Sequence, residues 1–350
     1  MKKFLLKIFA NKKIRKEFDI KKVKSALIRP IGTGIGDAVV LTAVFAKLKI
    51  ALPNVKTGVF ATKRNEYIFK NNKYIDSVIK ITPFAYLRNR KKWDVFIDFV
   101  PTFTTKNIVL DYILAPAFTL CFDKTTKKHY RKDTVKNYDI YCSSNMKKHL
   151  SDFLSLTPFK NYTDNIPSFY TLPEPEYTAP EKAETLWMPE KIRILFSPAG
   201  SGKRISDEDI SAIAKKLAYP AKLQGLLTNT SDSRFYASLQ NIPALPVRLS
   251  PVLNLGDLMA LVKSADLIIS VDTAVVHIAC ALRKPVIGIY PNYSQSFIMF
   301  SPLNNANALM IIAKTPVHDN AGILKGVPVE EVAEAAKQII DLILMNKPVL

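Results

Sequence analysis

Three cysteines in 350 residues are too few, and the wrong number, for a disulfide framework. Cys121, Cys142 and Cys280 are odd in count and lack metal-like spacing, as expected of a reducing compartment. The chain is 48% hydrophobic, yet no apolar run approaches the ~18 residues of a spanning helix, so it reads as globular. The short apolar run near the N-terminus has no small-residue cleavage site after it and is not a secretory signal. Acids are scarce as well: 30 Asp and Glu stand against 50 Lys and Arg, a net charge of +20. That excess implies a polyanionic partner, which by charge alone is nucleic acid, an anionic membrane surface or a phosphorylated glycolipid. There is no RNP-type aromatic motif and no recognisable helix-turn-helix, so no nucleic acid is expected. The length suffices for two ordinary domains.

What is present is organised around residues 264–291, SADLIISVDTAVVHIACALRKPVIGIYP. Residues 266–271 form an apolar run suited to a strand buried on both faces. Asp272-Thr273 supplies a helix cap, 274–282 is apolar enough for a buried helix, and Lys284-Pro285 stops it before a strand at 286–290. This strand–helix–strand unit puts Asp272, Thr273 and His277 at the strand's C-terminal end, where open α/β sheets bind ligands. Thr273 and His277, four apart, share a helix face. A plainer reading makes Asp272 only a cap and His277 a hydrogen-bonded core residue.

Two glycine- and serine-bearing turns follow other strands. The run 25–31 reads as a strand, Gly32-Thr33-Gly34-Ile35-Gly36-Asp37 as a turn, and 38–49 as a helix closed by Pro53. Such a turn lets a ligand approach the backbone and offers amides at a helix start. Asp37 stands where the dinucleotide fingerprint needs glycine, and no ribose-binding acid lies about 20 residues on, so that fingerprint is rejected. The second turn, Ser197-Pro198-Ala199-Gly200-Ser201-Gly202-Lys203-Arg204, follows a strand at 191–196 and precedes a helix capped by Ser206. It is not a Walker A loop, but its small residues, amides and adjacent cations suit a phosphate cradle. Asp207-Glu208-Asp209 then reads as first-turn acids favoured by the helix dipole rather than as a metal motif.

VDTAVVHIACALRKPVIGIY resembles a signature of the glycosyltransferase family 9 heptosyltransferases, which add heptose to the inner core of bacterial lipopolysaccharide. Asp272, Thr273, His277, Lys284 and Pro285 match; Ala274 stands where the family has glycine, and Tyr290-Pro291-Asn292 where it has Phe-Gly-Pro-Thr. IRPIGTGIGDAVVLTAVFAKLKIALP resembles the family's other signature, in which the matching Asp37 is the general base. The resemblance implies an α/β GT-B fold, two Rossmann-like domains facing across a cleft. It also implies inverting transfer, without metal or cofactor, from ADP-L-glycero-β-D-manno-heptose to a lipopolysaccharide or lipooligosaccharide inner core. Ser201, Gly202, Lys203, Leu253, Asp272, Thr273, Ala274 and His277 would bind the donor. Gly34, Gly36, Lys127, Lys128 and Arg131 would bind the anionic acceptor, Kdo-lipid A or a heptosylated core. Location would be cytoplasmic, peripheral on the inner membrane. Arg204-Ile205-Ser206 replaces the family's Lys/Arg-Trp-Pro ending, and only Asp232 stands near where relatives place a ribose-binding Glu. A GT-B enzyme using another nucleotide sugar, and a basic nucleic-acid-binding or non-catalytic protein, therefore remain alternatives.

The expected organisation is a basic N-terminal segment at 1–24, an acceptor domain at 25–172, a proline-rich linker at 173–190, a nucleotide-sugar domain at 191–326 and a C-terminal helix at 327–350. Segment 1–24 carries ten Lys and Arg against two acids; it reads as an amphipathic helix on anionic lipid or as a frayed basic tail. The run 123–136 carries six Lys and Arg, either a solvated face or a basic loop beside the acceptor.

Overall fold

Strands and helices alternate along the chain, and every strand pairing in the two main sheets of the computed structural model is parallel. The structure describes residues 2–15, 18–144, 147–173, 179–200, 202–217, 222–242, 245–303, 307–317 and 322–346. The chain divides into two units, residues 1–173 and 174–350.

In the first unit the strands are β1 (Ser25–Arg29), β2 (Lys56–Ala61), β3 (Ser77–Lys80), β4 (Val95–Asp98), β5 (Phe118–Phe122) and β6 (Ile140–Cys142), ordered β3-β2-β1-β4-β5-β6. The chain builds outward from β1 to one side, then returns to β4 on the other. The switch point therefore lies between β1 and β4, and both loops that leave its C-terminal edge can reach one ligand. The helix Ile35–Ala51 is apolar on nearly every side and buried from Ala38 to Leu48. Each large aliphatic or aromatic side chain buried there contributes roughly 1.5–3 kcal/mol. Residues 2–15 and 18–24 are not a frayed tail. The helix Lys2–Phe9 packs Leu6 and Phe9 on the cluster containing Phe103, Ile108 and Tyr130. Lys12 pairs with Asp139, whose carboxylate also accepts the Arg15 amide at 2.8 Å, and Phe18 stacks on Phe118 at 4.3 Å.

A buried charge cluster closes the switch point. Arg29, the last residue of β1, donates to Asp98 at the end of β4 (Nε–Oδ1 2.8 Å) and to Asp111 (Nη1–Oδ1 2.7 Å, Nη2–Oδ2 3.0 Å). Lys124 donates to Asp98 and to the Val100 carbonyl, and the Tyr138 hydroxyl donates to Asp111 at 2.7 Å. Two cations and two carboxylates thus balance out of water. Burial alone would raise the Asp98 carboxyl, but Arg29 and then Lys124 hold it well below the usual carboxylate range. Burial pushes Asp111 up against the pull of Arg29, with Asp98 adding to the rise. Burial lifts Tyr86 to about 12 and Tyr138 higher, so both stay protonated, Tyr138 as a donor to Asp111 and Tyr86 as an acceptor from Arg29 Nη1 at 3.4 Å. Lys124 belongs to the basic run 123–136, and its inward turn corrects the expectation that the whole run faces solvent or acceptor.

The second unit repeats the plan. Its main strands are β7 (Ile192–Ser197), β10 (Leu223–Leu227), β11 (Val247–Leu249), β12 (Leu267–Val271), β13 (Val286–Asn292) and β14 (Ala308–Pro316), ordered β11-β10-β7-β12-β13-β14. A small sheet joins β8 (Ala199–Gly200), β9 (Lys203–Arg204) and β15 (Gly322–Ile323). The amphipathic helix Val329–Asn346 packs Val332, Ala336 and Ile340 into this unit's core. The proline-rich stretch is not irregular throughout: the helix Ala179–Glu184 packs on the helix Leu255–Ser264, and Trp187 Nε1 donates to Ser264 Oγ at 2.8 Å. All three cysteines are buried thiols outside any disulfide; burial pushes Cys142 and Cys280 up to about 12, far from thiolate chemistry.

Removing one member of the buried cluster leaves an unpaired charge, which costs about 3–5 kcal/mol. Lys124→Met should destabilise the first unit by that order, whereas Lys124→Met/Asp98→Asn, which leaves Arg29 balanced by Asp111, should be more stable than either single variant. Urea unfolding followed by Trp93 fluorescence in a Trp187→Phe background checks this.

Candidate active site

In the second unit the switch point lies between β7 and β12. Pro198 ends β7, and the chain then folds into a hairpin: Ala199 and Gly200 pair antiparallel with Arg204 and Lys203. The Ile205 amide closes it by donating to the Pro198 carbonyl at 2.8 Å. Gly202 takes φ +85° in the turn, a left-handed value that glycine adopts without strain. Ser201, the other turn residue, lies outside the described residues. The expected open loop of free amides is thus a hairpin, further pinned by β15 along β9.

The hairpin packs on the segment after β12. A Cβ on Gly200 would lie 1.9 Å from Thr273 Cγ2, so only glycine permits the approach. Lys203 forms an ion pair with Asp272, and both side chains are largely buried. Thr273 caps the helix Ala274–Ala281, its hydroxyl accepting the Val275 amide at 3.4 Å and lying 3.2 Å from Ser270 Oγ. Ser270 also donates to the Ser197 carbonyl at 3.2 Å, fastening β12 to β7. Ala274 is half-buried in the first turn, and His277 is buried one turn further on. The structure therefore brings Gly202, Lys203, Asp272, Thr273 and Ala274 together: a cation beside a helix N-terminus, at the edge where parallel sheets bind ligands. Such a place favours anions. Leu253 stands half-buried in the connection after β11, on the same sheet edge but two strands from β7. Sequence reasoning missed Ser270 and the contact of Gly200 with Thr273; a serine inside an otherwise aliphatic strand was the available signal. It missed too that Arg204 lies over the Phe235 ring at 4.7 Å, with Arg234 at 4.9 Å.

Asp207 is occupied structurally, accepting the Ser238 amide at 3.0 Å, while Ser206 caps its helix by accepting the Asp209 amide at 3.0 Å. Among the described residues no three His, Cys, Asp or Glu side chains cluster as a metal site.

In the first unit Asp37 is the third residue of the helix Ile35–Ala51, and its carboxylate accepts the Gly34 amide at 3.3 Å. Cβ atoms on Gly32 and Gly34 would lie 2.3 Å and 2.9 Å from Asp37 Oδ2. The glycines are therefore there for space: they let the half-buried carboxylate fold back over its own loop at the switch point. Gly36 sits half-buried in the same first turn. Lys127, Lys128 and Arg131 are exposed on the connection after β5, and Arg131 pairs with Asp133 at 2.9 Å. Lys128 and Arg131 line a cavity with the N-terminal helix; the structure groups them with Lys7 and Lys136.

Comparison with known proteins agrees with this geometry. Residues 215–321, which include Asp272 and His277 but not Lys203 or Asp37, match the model of glycosyltransferase family 9 (heptosyltransferase). A protein of Escherichia coli (strain K12), provisionally named lipopolysaccharide heptosyltransferase 4, is 26% identical over 332 residues, covering 89% of this chain and 88% of that protein. The solved glycosyl transferase family 9 protein from Veillonella parvula superposes with a TM-score of 0.72 at 15% identity, over 93% of this chain and 99% of that one. The E. coli ADP-heptose lipopolysaccharide heptosyltransferase II does so with a TM-score of 0.69 at 14% identity, over 92% and 99%. With two Rossmann-like units in one chain, the protein has the GT-B fold. Its resemblances, in family model and in curated relative, are to glycosyltransferase family 9, the heptosyltransferase family.

Because the hairpin and Thr273 touch, Gly200→Ala should overpack the site and destabilise the second unit by roughly 1–3 kcal/mol. Adding Thr273→Ser, which removes the offending methyl but keeps the cap, should recover most of the loss. Thermal unfolding of the two variants measures it.

Proposed function

We propose that this protein transfers heptose from ADP-L-glycero-β-D-manno-heptose to the inner core of lipopolysaccharide or lipooligosaccharide, with inversion and without a metal. The acceptor would be a Kdo- or heptose-bearing glycolipid at the cytoplasmic face of the inner membrane. The observation that carries the reading is Lys203 held by Asp272 beside the N-terminus of the helix Ala274–Ala281. A sugar diphosphate is the anion such a place suits, and the E. coli relative of like fold is named for ADP-heptose.

In this reading Asp37 takes the proton from the acceptor hydroxyl as its oxygen attacks the anomeric carbon. The bond from that carbon to the diphosphate oxygen breaks, and ADP leaves with the electron pair. Lys203 and the helix amides meet the growing charge on the leaving oxygen. Gly34 and Gly36 give the acceptor close approach to the backbone, and Lys127, Lys128 and Arg131 attract its phosphates and carboxylates. Thr273 and His277 orient the donor, with Ser201 and Leu253 at its phosphate and base ends. Among the described residues no helix is long and apolar enough to cross a membrane, so contact with the glycolipid would be peripheral. A second reading, another nucleotide sugar, is favoured by Ala274 in the place of glycine and by Ile205 in the place of tryptophan.

Mass spectrometry of a heptose-free acceptor incubated with ADP-heptose tests the proposal; the expected product gains one heptose. Asp37→Asn should keep the fold and the donor KM but lower kcat by about 10²–10⁴, the usual share of a general base. Lys203→Ala should raise the donor KM about tenfold or more, as loss of a charge-assisted hydrogen bond does. Normal turnover in Asp37→Asn would remove Asp37 as base, and transfer only from a different nucleotide sugar would overturn the donor.

A further inference from the structure

The N-terminal helix encloses a cavity of about 670 Å³ with the connection after β5. Its lining includes Leu6, Lys7, Lys128, His129, Arg131 and Lys136, and no acidic side chain. Of the lining cations, Arg131 pairs with Asp133 at 2.9 Å. The walls are tied together: the Lys136 amide donates to the Ala10 carbonyl at 2.8 Å. Tyr130 bonds Thr105 by its hydroxyl. On the same helix Phe4 and Ile8 are one turn apart and 65% and 43% exposed. Elements linked to this helix carry further exposed apolar side chains. Phe9 meets the Tyr112 ring at 5.3 Å, Arg90 donates to the Ile113 carbonyl at 2.9 Å, and just before Arg90 Phe84 and Leu87 are 69% and 57% exposed. Arg88, Arg90, Lys91 and Lys92 are all exposed around them.

We propose that this face of the first unit docks on an anionic lipid bilayer, with Phe4, Ile8, Phe84 and Leu87 entering the interface and the cavity cations holding lipid phosphates. Cations alone would suit any polyanion. Aliphatic and aromatic side chains projecting beside them suit a surface that is anionic at its phosphates and apolar just beneath. A second copy of this chain is disfavoured, since each carries a net charge of +20. Each cation near such a surface strengthens binding roughly fivefold, so two charge reversals should weaken it far more than tenfold. The proposal deepens the glycolipid reading above by naming the surface that meets the membrane. It can fail alone, because donor binding by the second unit is measured with soluble nucleotides.

The test is co-sedimentation of the full chain with phosphatidylcholine vesicles, with and without phosphatidylglycerol. The wild type should sediment only with the anionic vesicles. Lys7→Glu/Lys136→Glu and Phe4→Ser/Ile8→Ser should each lose at least tenfold in binding. Lys215→Glu/Lys263→Glu, exposed on the second unit and equal in charge change, should lose much less. Equal binding to neutral vesicles, no binding to either kind, or equal losses in all charge variants would overturn the proposal. So would tighter retention on single-stranded RNA that the same first-unit variants abolish, which would make the surface a nucleic-acid site.

Discussion

Strand order reverses beside the first strand of each unit, and the chemistry of both units depends on that reversal. Where crossovers diverge, the C-terminal edge of a parallel sheet is open to a ligand, and helix N-termini point toward it. The two units fill the same position differently. In the first, Arg29, Asp98, Asp111 and Lys124 balance one another at the switch point, and Asp37 lies in the first turn of the helix that follows β1. In the second, a hairpin and a capped helix meet there, and the charge pair of Lys203 and Asp272 lies within the site itself. One sheet plan thus places a carboxylate after the first strand of one unit and a cation after the first strand of the other.

Close approach is the second constraint. Gly32 and Gly34 leave space for the Asp37 carboxylate, and Gly200 leaves space for Thr273. These glycines are defined by what lies against them rather than by backbone strain, while Gly202 alone in the site needs its positive φ. A methyl group at any of the first three displaces a functional side chain rather than merely stiffening a loop.

The alternation of elements was legible because strands buried on both faces read as continuous apolar runs: β1, β7, β12 and the helix start at Asp207 fall where the residues predict them. The edge strands β6 and β11, three residues each, carry too little pattern to stand out. The hairpin was illegible because two-residue strands have no period. In the site, residue type at a helix start pointed to Asp272, Thr273 and Lys203, but their pairing across 69 residues left no local trace. The same holds for Lys124, read as one of six cations in a surface run yet turned inward by Asp98, which lies 26 residues away. Charge runs report composition; which member is buried depends on partners far along the chain.

The most direct measurement is calorimetric titration of the purified protein with ADP and ADP-heptose, with UDP- and GDP-sugars as controls. The account predicts selective binding of the adenine compounds at the Lys203–Asp272 edge. Binding of uridine or guanosine sugars alone would leave the GT-B fold standing and contradict the heptosyltransferase reading.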